Sequence, residues 1–174
     1  MQMEMDRAGL LMSPPPARGA IGLLSRKSPA VETGGGVISV LSVSPLLDDQ
    51  DALEQLLRPP RWRIYRARTL KLAMAVLEKK WPPLVLCERD LGLETWRDVL
   101  AQTALMAYSP LLIVTSRLAN ERLWAEALNL GAYDVLAKPF DATEVTRTLN
   151  LAWVHWRDLN DAAQWPVLFK AVDA

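Results

Sequence analysis

The chain has 174 residues, of which 51% are hydrophobic, and its 20 basic and 20 acidic residues give a formal net charge of zero. This length suits one domain with tails. The absence of net charge excludes a global field that would attract nucleic acid or an anionic membrane surface. The single cysteine, Cys87, excludes an internal disulfide and a cysteine-based zinc site. Because Cys87 lies in an apolar run, we expect a buried, reduced thiol and a cytoplasmic protein.

The two ends of the chain differ in composition from its middle. Residues 1–36 combine three consecutive prolines, scattered charge and a run of three glycines, which predicts a disordered leader rather than a signal peptide. No apolar run in the sequence approaches the ~20 residues that a membrane-spanning helix needs. We expect a folded domain over residues 37–157 and a tail over residues 158–174, which is too short for a DNA-binding domain.

From residue 37 onward, short apolar runs alternate with helical periods. In chain order the predicted elements are a strand at 37–43, a helix at 47–57, a strand at 62–67, a helix at 70–80, a strand at 84–87, a helix at 95–106, a strand at 111–114, a helix at 120–130, a strand at 135–137 and a helix at 141–156. Thr69 and Asp141 are expected to be N-caps, and Gly131 a left-handed C-cap. Five such repeats predict an α/β fold with a doubly wound five-stranded parallel sheet and helices on both faces.

Polar side chains follow three of the predicted central strands. Glu88 comes directly after residues 84–87, Thr115 and Ser116 follow residues 111–114, and Lys138 with Pro139 follows residues 135–137. Ligands and chemistry in doubly wound sheets lie at the carboxyl ends of the strands. We therefore expect a carboxylate, a hydroxyl and an ammonium group to converge there.

These residues carry a resemblance to a known family. The runs 82–88 (PPLVLCE), 113–116 (IVTS) and 127–140 (ALNLGAYDVLAKPF) resemble the bacterial response-regulator receiver domain, over about residues 37–157. The resemblance implies a flavodoxin-like sheet with strand order 2-1-3-4-5. It places Glu88 at the phosphate-accepting aspartate, Thr115 at the hydroxyl that follows the phosphoryl group, and Lys138 at the pairing lysine, commonly before a cis bond to Pro139.

The sequence departs from the family where metal binding is expected. The family places an acidic pair just after the first strand to hold magnesium, whereas this pocket has Ser42, Val43 and Ser44 there, followed by Pro45. The nearby Asp48 and Asp49 lie on the first predicted helix, and we do not expect them to reach the site. Magnesium binding is therefore expected to be lost or weak.

Two further departures bear on the chemistry and on its output. The extra methylene of Glu88 displaces its carboxylate by about a bond length, a misplacement that can cost ~100-fold in rate. The family usually has an aromatic switch residue three positions before the lysine, but Val135 stands there, and we do not assign that role to Tyr133. The missing acidic pair and the displaced carboxylate both argue against ordinary phosphorylation, whereas the missing aromatic residue concerns the output.

Other features have mainly structural interpretations. The basic residues around the second strand are expected to protect a sheet edge from pairing with another chain; they are Arg58, Arg61, Arg63, Arg66, Arg68 and Lys71. His155 has no metal-ligand residue four positions before or after it, so we do not expect a metal or catalytic role. Four tryptophans, Trp124, Trp153, Trp156 and Trp165, fall on or beyond the fourth and fifth helices, which indicates a protein partner or a homodimer through those helices.

The leading hypothesis is a single-domain, response-regulator-like signalling protein that acts through protein contacts and independently of phosphorylation. We expect no enzymatic activity and no cofactor, and neither direct DNA binding nor a membrane partner. Glu88 is expected to pair with Lys138 near Thr115. One alternative is a genuine phosphoacceptor that uses Glu88 or Asp90. A second is a flavodoxin-like ligand-binding protein, disfavoured because no Gly-rich or Ser/Thr-rich phosphate loop follows the first strand.

Overall fold

The computed structural model describes residues 36–169, with side chains through residue 161. The strands are β1 (Ile38–Val43), β2 (Trp62–Ala67), β3 (Leu84–Glu88), β4 (Leu111–Ser116) and β5 (Asp134–Ala137). The helices are α1 (Leu47–Leu56), α2 (Leu70–Lys80), α3 (Trp96–Thr103), α4 (Glu121–Leu130) and α5 (Ala142–Phe169). The predicted leader falls almost wholly outside the described residues. Within the described residues, no helix is both long and apolar enough to cross a membrane.

All five strands pair in parallel in the order β2-β1-β3-β4-β5, which confirms the predicted fold class and strand order. The sheet separates two apolar layers. One face packs against α2, α3 and α4 through Leu77, Trp96 and Ala127, among others. The other face packs against α1 and α5 through Leu53 and Leu149. Because β1, β3 and β4 are covered on both faces, most of their residues are apolar, and the polar ones lie mainly at their carboxyl ends.

The predicted helix caps are present. The Thr69 hydroxyl accepts a hydrogen bond from the backbone N–H of Leu72 at 3.3 Å. The Asp141 carboxylate accepts one from Glu144 N–H at 2.8 Å. Gly131 ends α4 with φ = 104°, a left-handed conformation that glycine adopts without a Cβ penalty. Local sequence signals therefore place these helix ends correctly.

Two helices end elsewhere than the sequence predicted. The third helix was expected to reach residue 106 but ends at Thr103, whose carbonyl accepts hydrogen bonds from Met106 N–H at 3.1 Å and from the Ser109 hydroxyl at 3.1 Å. The fifth helix continues to Phe169, so the expected domain end at residue 157 falls inside it. Residues 142–165 contain neither glycine nor proline, so nothing in that stretch stops the helix.

A buried glutamine ties the carboxyl ends of β1 and β2 to α1. The Gln50 side-chain amide donates to the carbonyls of Ser44 at 2.8 Å and Ala67 at 2.9 Å, and its oxygen accepts from Arg66 Nε at 2.7 Å. Each polar atom of this buried amide therefore has a partner, as burial requires. These bonds hold the first turn of α1 over the carboxyl edge of the sheet.

We expect Gln50→Leu to lower the free energy of unfolding by roughly 1–3 kcal/mol, because the carbonyls of Ser44 and Ala67 lose a buried hydrogen-bond donor without gaining water. Urea denaturation measures this change. Gln55→Leu is the matched control, since Gln55 lies on the same helix but is exposed. Equal effects of the two substitutions would show that the buried amide adds no stability.

Candidate functional site

The carboxyl edge of the sheet brings three predicted site residues together. Glu88 ends β3 and lies beside Thr115 of β4 in the parallel register. Lys138 directly follows β5, and its backbone N–H donates to the Ser116 carbonyl at 3.0 Å. The peptide bond between Lys138 and Pro139 is cis, as the family resemblance implied. Adjacent strand ends thus place a carboxylate, a hydroxyl and an ammonium group side by side.

The ammonium group of Lys138 lies between two carboxylates. Its Nζ contacts Glu88 Oε2 directly and lies 2.5 Å from Asp49 Oδ2. The Thr115 hydroxyl donates to the same Glu88 oxygen at 3.3 Å. The exposed side-chain fractions are only 2% for Lys138, 10% for Glu88 and 12% for Asp49. We refer to Asp49, Glu88 and Lys138 as the buried triad.

Asp49 corrects the sequence analysis, which did not expect Asp48 or Asp49 to reach the site. Asp48 is exposed, but Asp49 is buried and binds Lys138. The helical period explains the difference, because Asp49 precedes the buried Leu53 by four residues and shares its inward face. Two features of the sequence could have placed Asp49 in the site. One is its spacing from Leu53, and the other is the predicted helix start at residue 47, only a few residues after the end of β1.

The electrostatics of the buried triad follow from its composition. Two carboxylates and one ammonium carry a formal net charge of −1 in a largely water-excluded site. Charges out of water are costly unless they are paired and hydrogen-bonded, and the same low dielectric strengthens each pair. Lys138 therefore serves as counter-ion to both acids, and loss of its charge would leave two carboxylates uncompensated.

Other predicted site residues lie nearby without joining the triad. Ser42 and Val43 are buried at the end of β1, where Val43 packs in the apolar layer beside Cys87. Asp90 is an exposed loop residue whose carboxylate pairs with Arg89 at 2.6 Å. Val135 is buried in the core. The structure thus brings Glu88, Thr115 and Lys138 together and keeps Asp90 in a surface ion pair.

The residues present do not fit the magnesium ion that the fold family implies. Magnesium takes oxygen ligands in near-octahedral geometry and binds through free carboxylates. Here both carboxylates of the triad bind the Lys138 ammonium. Among the described residues there is also no cluster of three or more histidine, cysteine, aspartate or glutamate side chains arranged to hold a metal. We therefore derive no chemistry through a metal ion.

The thiol beside the triad is expected to be unreactive. Cys87 is completely buried, and its Sγ donates to the Glu88 carbonyl at 3.3 Å. Burial, reinforced by the Glu88 carboxylate, raises the pKa of the Cys87 thiol far above its usual value. Because only the thiolate is a good nucleophile, Cys87 acts as a core residue.

The triad predicts strongly non-additive stability effects. We expect Asp49→Asn and Glu88→Gln each to lower the free energy of unfolding by roughly 1 kcal/mol, because one carboxylate still pairs with Lys138. The double substitution leaves a buried ammonium without any carboxylate and is expected to cost about 3–5 kcal/mol. Chemical denaturation of the four proteins completes the double-mutant cycle.

The matched control is the pair Asp51→Asn and Glu54→Gln. These carboxylates also pair with a single cation, Arg66, but they are half exposed. Exposed pairs contribute about 0–1 kcal/mol, so these substitutions should be mild and additive. Additive effects at Asp49 and Glu88 as well would show that the triad is not a coupled unit.

Comparisons with known proteins agree with the fold. No protein-family model matches the chain. The transcriptional regulatory protein ZraR of Salmonella typhimurium is 32% identical over 127 residues, which are 71% of this chain and 28% of the length of that relative. The Salmonella typhi protein of the same name matches equally. The chain thus spans under a third of the length of the curated relatives it matches.

Solved structures match over nearly the whole length of isolated receiver domains. The signal receiver domain of an HD domain-containing protein from Pseudomonas fluorescens Pf-5 is 26% identical, with a TM-score of 0.64 over 70% of this chain and 98% of that chain. The receiver domain of a Luxo repressor protein from Vibrio parahaemolyticus is 20% identical, with a TM-score of 0.67 over 74% and 98%. With its strand order and strand-end residues, the domain that the structure describes is a receiver domain of the response-regulator type.

Proposed function

We propose that this protein is a response-regulator-like signalling protein whose receiver domain works without phosphorylation and acts through protein contacts. The observation that carries the proposal is the buried triad, in which the Glu88 carboxylate at the acceptor position is already bound by Lys138 and Thr115. A side chain in that arrangement holds a fixed negative charge in the pocket.

The position of the Glu88 oxygen argues against its use as a nucleophile. Oε2 accepts from both the Lys138 ammonium and the Thr115 hydroxyl, and Glu88 is almost fully withdrawn from water. Attack on a phosphoryl donor would require this oxygen to give up those partners and face the donor in line. A paired, buried oxygen lacks the positioning on which phosphoryl transfer depends.

The missing metal environment argues in the same direction. Phosphoryl transfer relies on cations that neutralise the charge developing on the transferred group. In this pocket the only cation of the triad is the Lys138 ammonium, and Asp49 and Glu88 already neutralise it. The pocket therefore supplies little positive field to an incoming phosphoryl group.

Exposed apolar side chains on two helices support output through protein contacts. On α4, Trp124 and Leu128 are exposed, and on α5 Leu151 and Val154 are exposed as well. Large apolar side chains at the surface of these helices suit a protein interface. This supports contact through the fourth and fifth helices, on a domain whose site is held in one charge state.

We expect incubation with acetyl phosphate and Mg²⁺ to add no phosphoryl group to the protein, because the acceptor oxygen is paired and both carboxylates of the triad bind Lys138. Intact-mass spectrometry measures the gain directly. Glu88→Ala, which has no acceptor carboxylate at this position, is the matched control and should give the same unchanged mass.

A stoichiometric gain of one phosphoryl group in the unsubstituted protein would overturn the proposal. Loss of that gain in Glu88→Ala would identify Glu88 as a genuine acceptor. Loss of it in Asp90→Asn instead would identify the loop aspartate.

A further inference from the structure

β2 forms an edge of the sheet, since β1 is its only neighbour among the described strands. The backbone N–H of Ile38 donates to the Arg61 carbonyl at 2.8 Å, and that of Ser44 donates to the Ala67 carbonyl at 3.0 Å. In a parallel ladder, alternate residues of a strand bond to the same neighbour. The backbone N–H and C=O groups of the residues between them therefore face the open edge; these residues are Trp62, Ile64 and Arg66.

A groove of about 430 Å³ lies against this open edge, beside the end of α1. Glu54 and Arg63 border it, but most of its lining is apolar: Val37, Leu57, Pro59, Pro60, Trp62 and Ile64. Because side chains alternate between the two faces of a strand, every second side chain of a strand paired with β2 would point towards this groove. The groove thus suits the apolar half of an alternating sequence.

Charge is unevenly distributed over the described domain. Residues 58–80, which contain β2 and α2 and which we call the basic segment, carry eight basic residues and one acidic residue, a net charge of +7. The rest of the described domain, residues 36–57 and 81–161, carries seven basic and 15 acidic residues, a net charge of −8. All eight basic residues of the basic segment are exposed. The zero net charge of the whole chain therefore conceals a surface that attracts acidic groups.

Several cations of the basic segment are free to bind a partner. Arg66 already binds two carboxylates of α1. Arg63, Arg68 and Lys71, by contrast, are exposed, and no carboxylate among the described residues pairs with them. Tyr65 packs against the layer of α2, so by alternation Arg63 lies on that face of β2 and not on the face of the groove. An added strand would therefore meet apolar residues on one face and cations on the other.

The same charges select which strand can pair with this edge. Two copies of β2 placed edge to edge would bring their arginines together, and like charges side by side oppose pairing. A strand that carries acidic residues turns this repulsion into attraction. Specificity of this kind combines an attractive contact to one partner with a repulsive contact to others.

We propose that the open edge of β2 binds an extended segment of a partner protein in which acidic and apolar residues alternate. The segment would add a sixth strand to the sheet, through backbone hydrogen bonds to Trp62, Ile64 and Arg66, with its apolar side chains towards the groove. This inference goes beyond the proposed function, because β2 lies at the opposite edge of the sheet from β5 and the surface is separate from the exposed side chains of α4 and α5.

Fluorescence anisotropy of the full chain with three labelled ten-residue peptides tests the proposal. One peptide alternates glutamate and valine, the second alternates lysine and valine, and the third has the composition of the first with all its glutamates before its valines. We expect saturable binding of the first peptide and binding at least roughly tenfold weaker for the other two, because only the first has both the charge and the alternation.

Charge-reversal variants locate the binding surface. Arg63→Glu should weaken binding of the alternating acidic peptide by roughly tenfold, since it replaces an attractive contact by a like-charge contact. Arg122→Glu is the matched control, because Arg122 is an exposed residue of α4 outside the basic segment, and it should bind like the unsubstituted protein. Circular dichroism checks that both variants are folded.

Amide hydrogen exchange measured by NMR distinguishes an added strand from attraction between charges alone. At a peptide concentration of about ten times Kd, exchange at Trp62, Ile64 and Arg66 should slow by roughly tenfold, because only the free protein leaves these amides unbonded. The amides of Arg63 and Tyr65, which already face β1, are the internal control and should exchange at an unchanged rate.

Four results would overturn the proposal. Two are failure of the alternating acidic peptide to bind and equal affinity of the peptide with blocked charges. A third is competitive displacement of the peptide by single-stranded DNA of equal charge at equal concentration, which would assign the surface to nucleic acid. The fourth is protection of the outward amides by raised protein concentration alone, which would identify a second copy as the occupant. None of these results changes the phosphoryl mass measurement, so the two proposals fail separately.

Discussion

The architecture of the pocket depends on one ammonium group held between two carboxylates at the carboxyl edge of the sheet. Lys138 can occupy that place only because β5 delivers it beside β4, and because α1 begins close enough to β1 for Asp49 to reach it. Gln50 holds the start of α1 close to β1, because its side chain binds the backbone at the ends of β1 and β2. The triad and the packing of α1 are thus parts of the same structure.

The origin of the second carboxylate distinguishes this pocket from the family pattern. The expected acidic pair after the first strand is replaced by Ser42, Val43 and Ser44, yet the site still contains a second carboxylate. This carboxylate belongs to Asp49 in the first turn of α1, and it accepts a hydrogen bond from Lys138. A carboxylate placed there neutralises the lysine, and this arrangement favours a fixed ion pair over a metal site.

Much of the fold and of the candidate site was predictable from the sequence, because parallel strands bring their carboxyl ends together. That rule alone correctly placed Glu88, Thr115 and Lys138 side by side, and Thr69 and Gly131 correctly marked two helix ends. Asp49 was missed because we judged its distance along the chain rather than its position on the helix, four residues before Leu53. The length of α5 was missed because amphipathic spacing shows where core contact ends, whereas the helix itself continues through residues 142–165, which contain no glycine or proline.

The carboxylate of a glutamate is permanent, whereas a phosphoryl group on an aspartate is removed by hydrolysis. A phosphorylated receiver loses its signal when the phosphoryl group leaves, so its timing is set by chemistry in the pocket. Under the proposed function, the charge of Glu88 lasts as long as the molecule that carries it. The amount of protein in the cell, set by synthesis and degradation, then becomes the variable that transmits information.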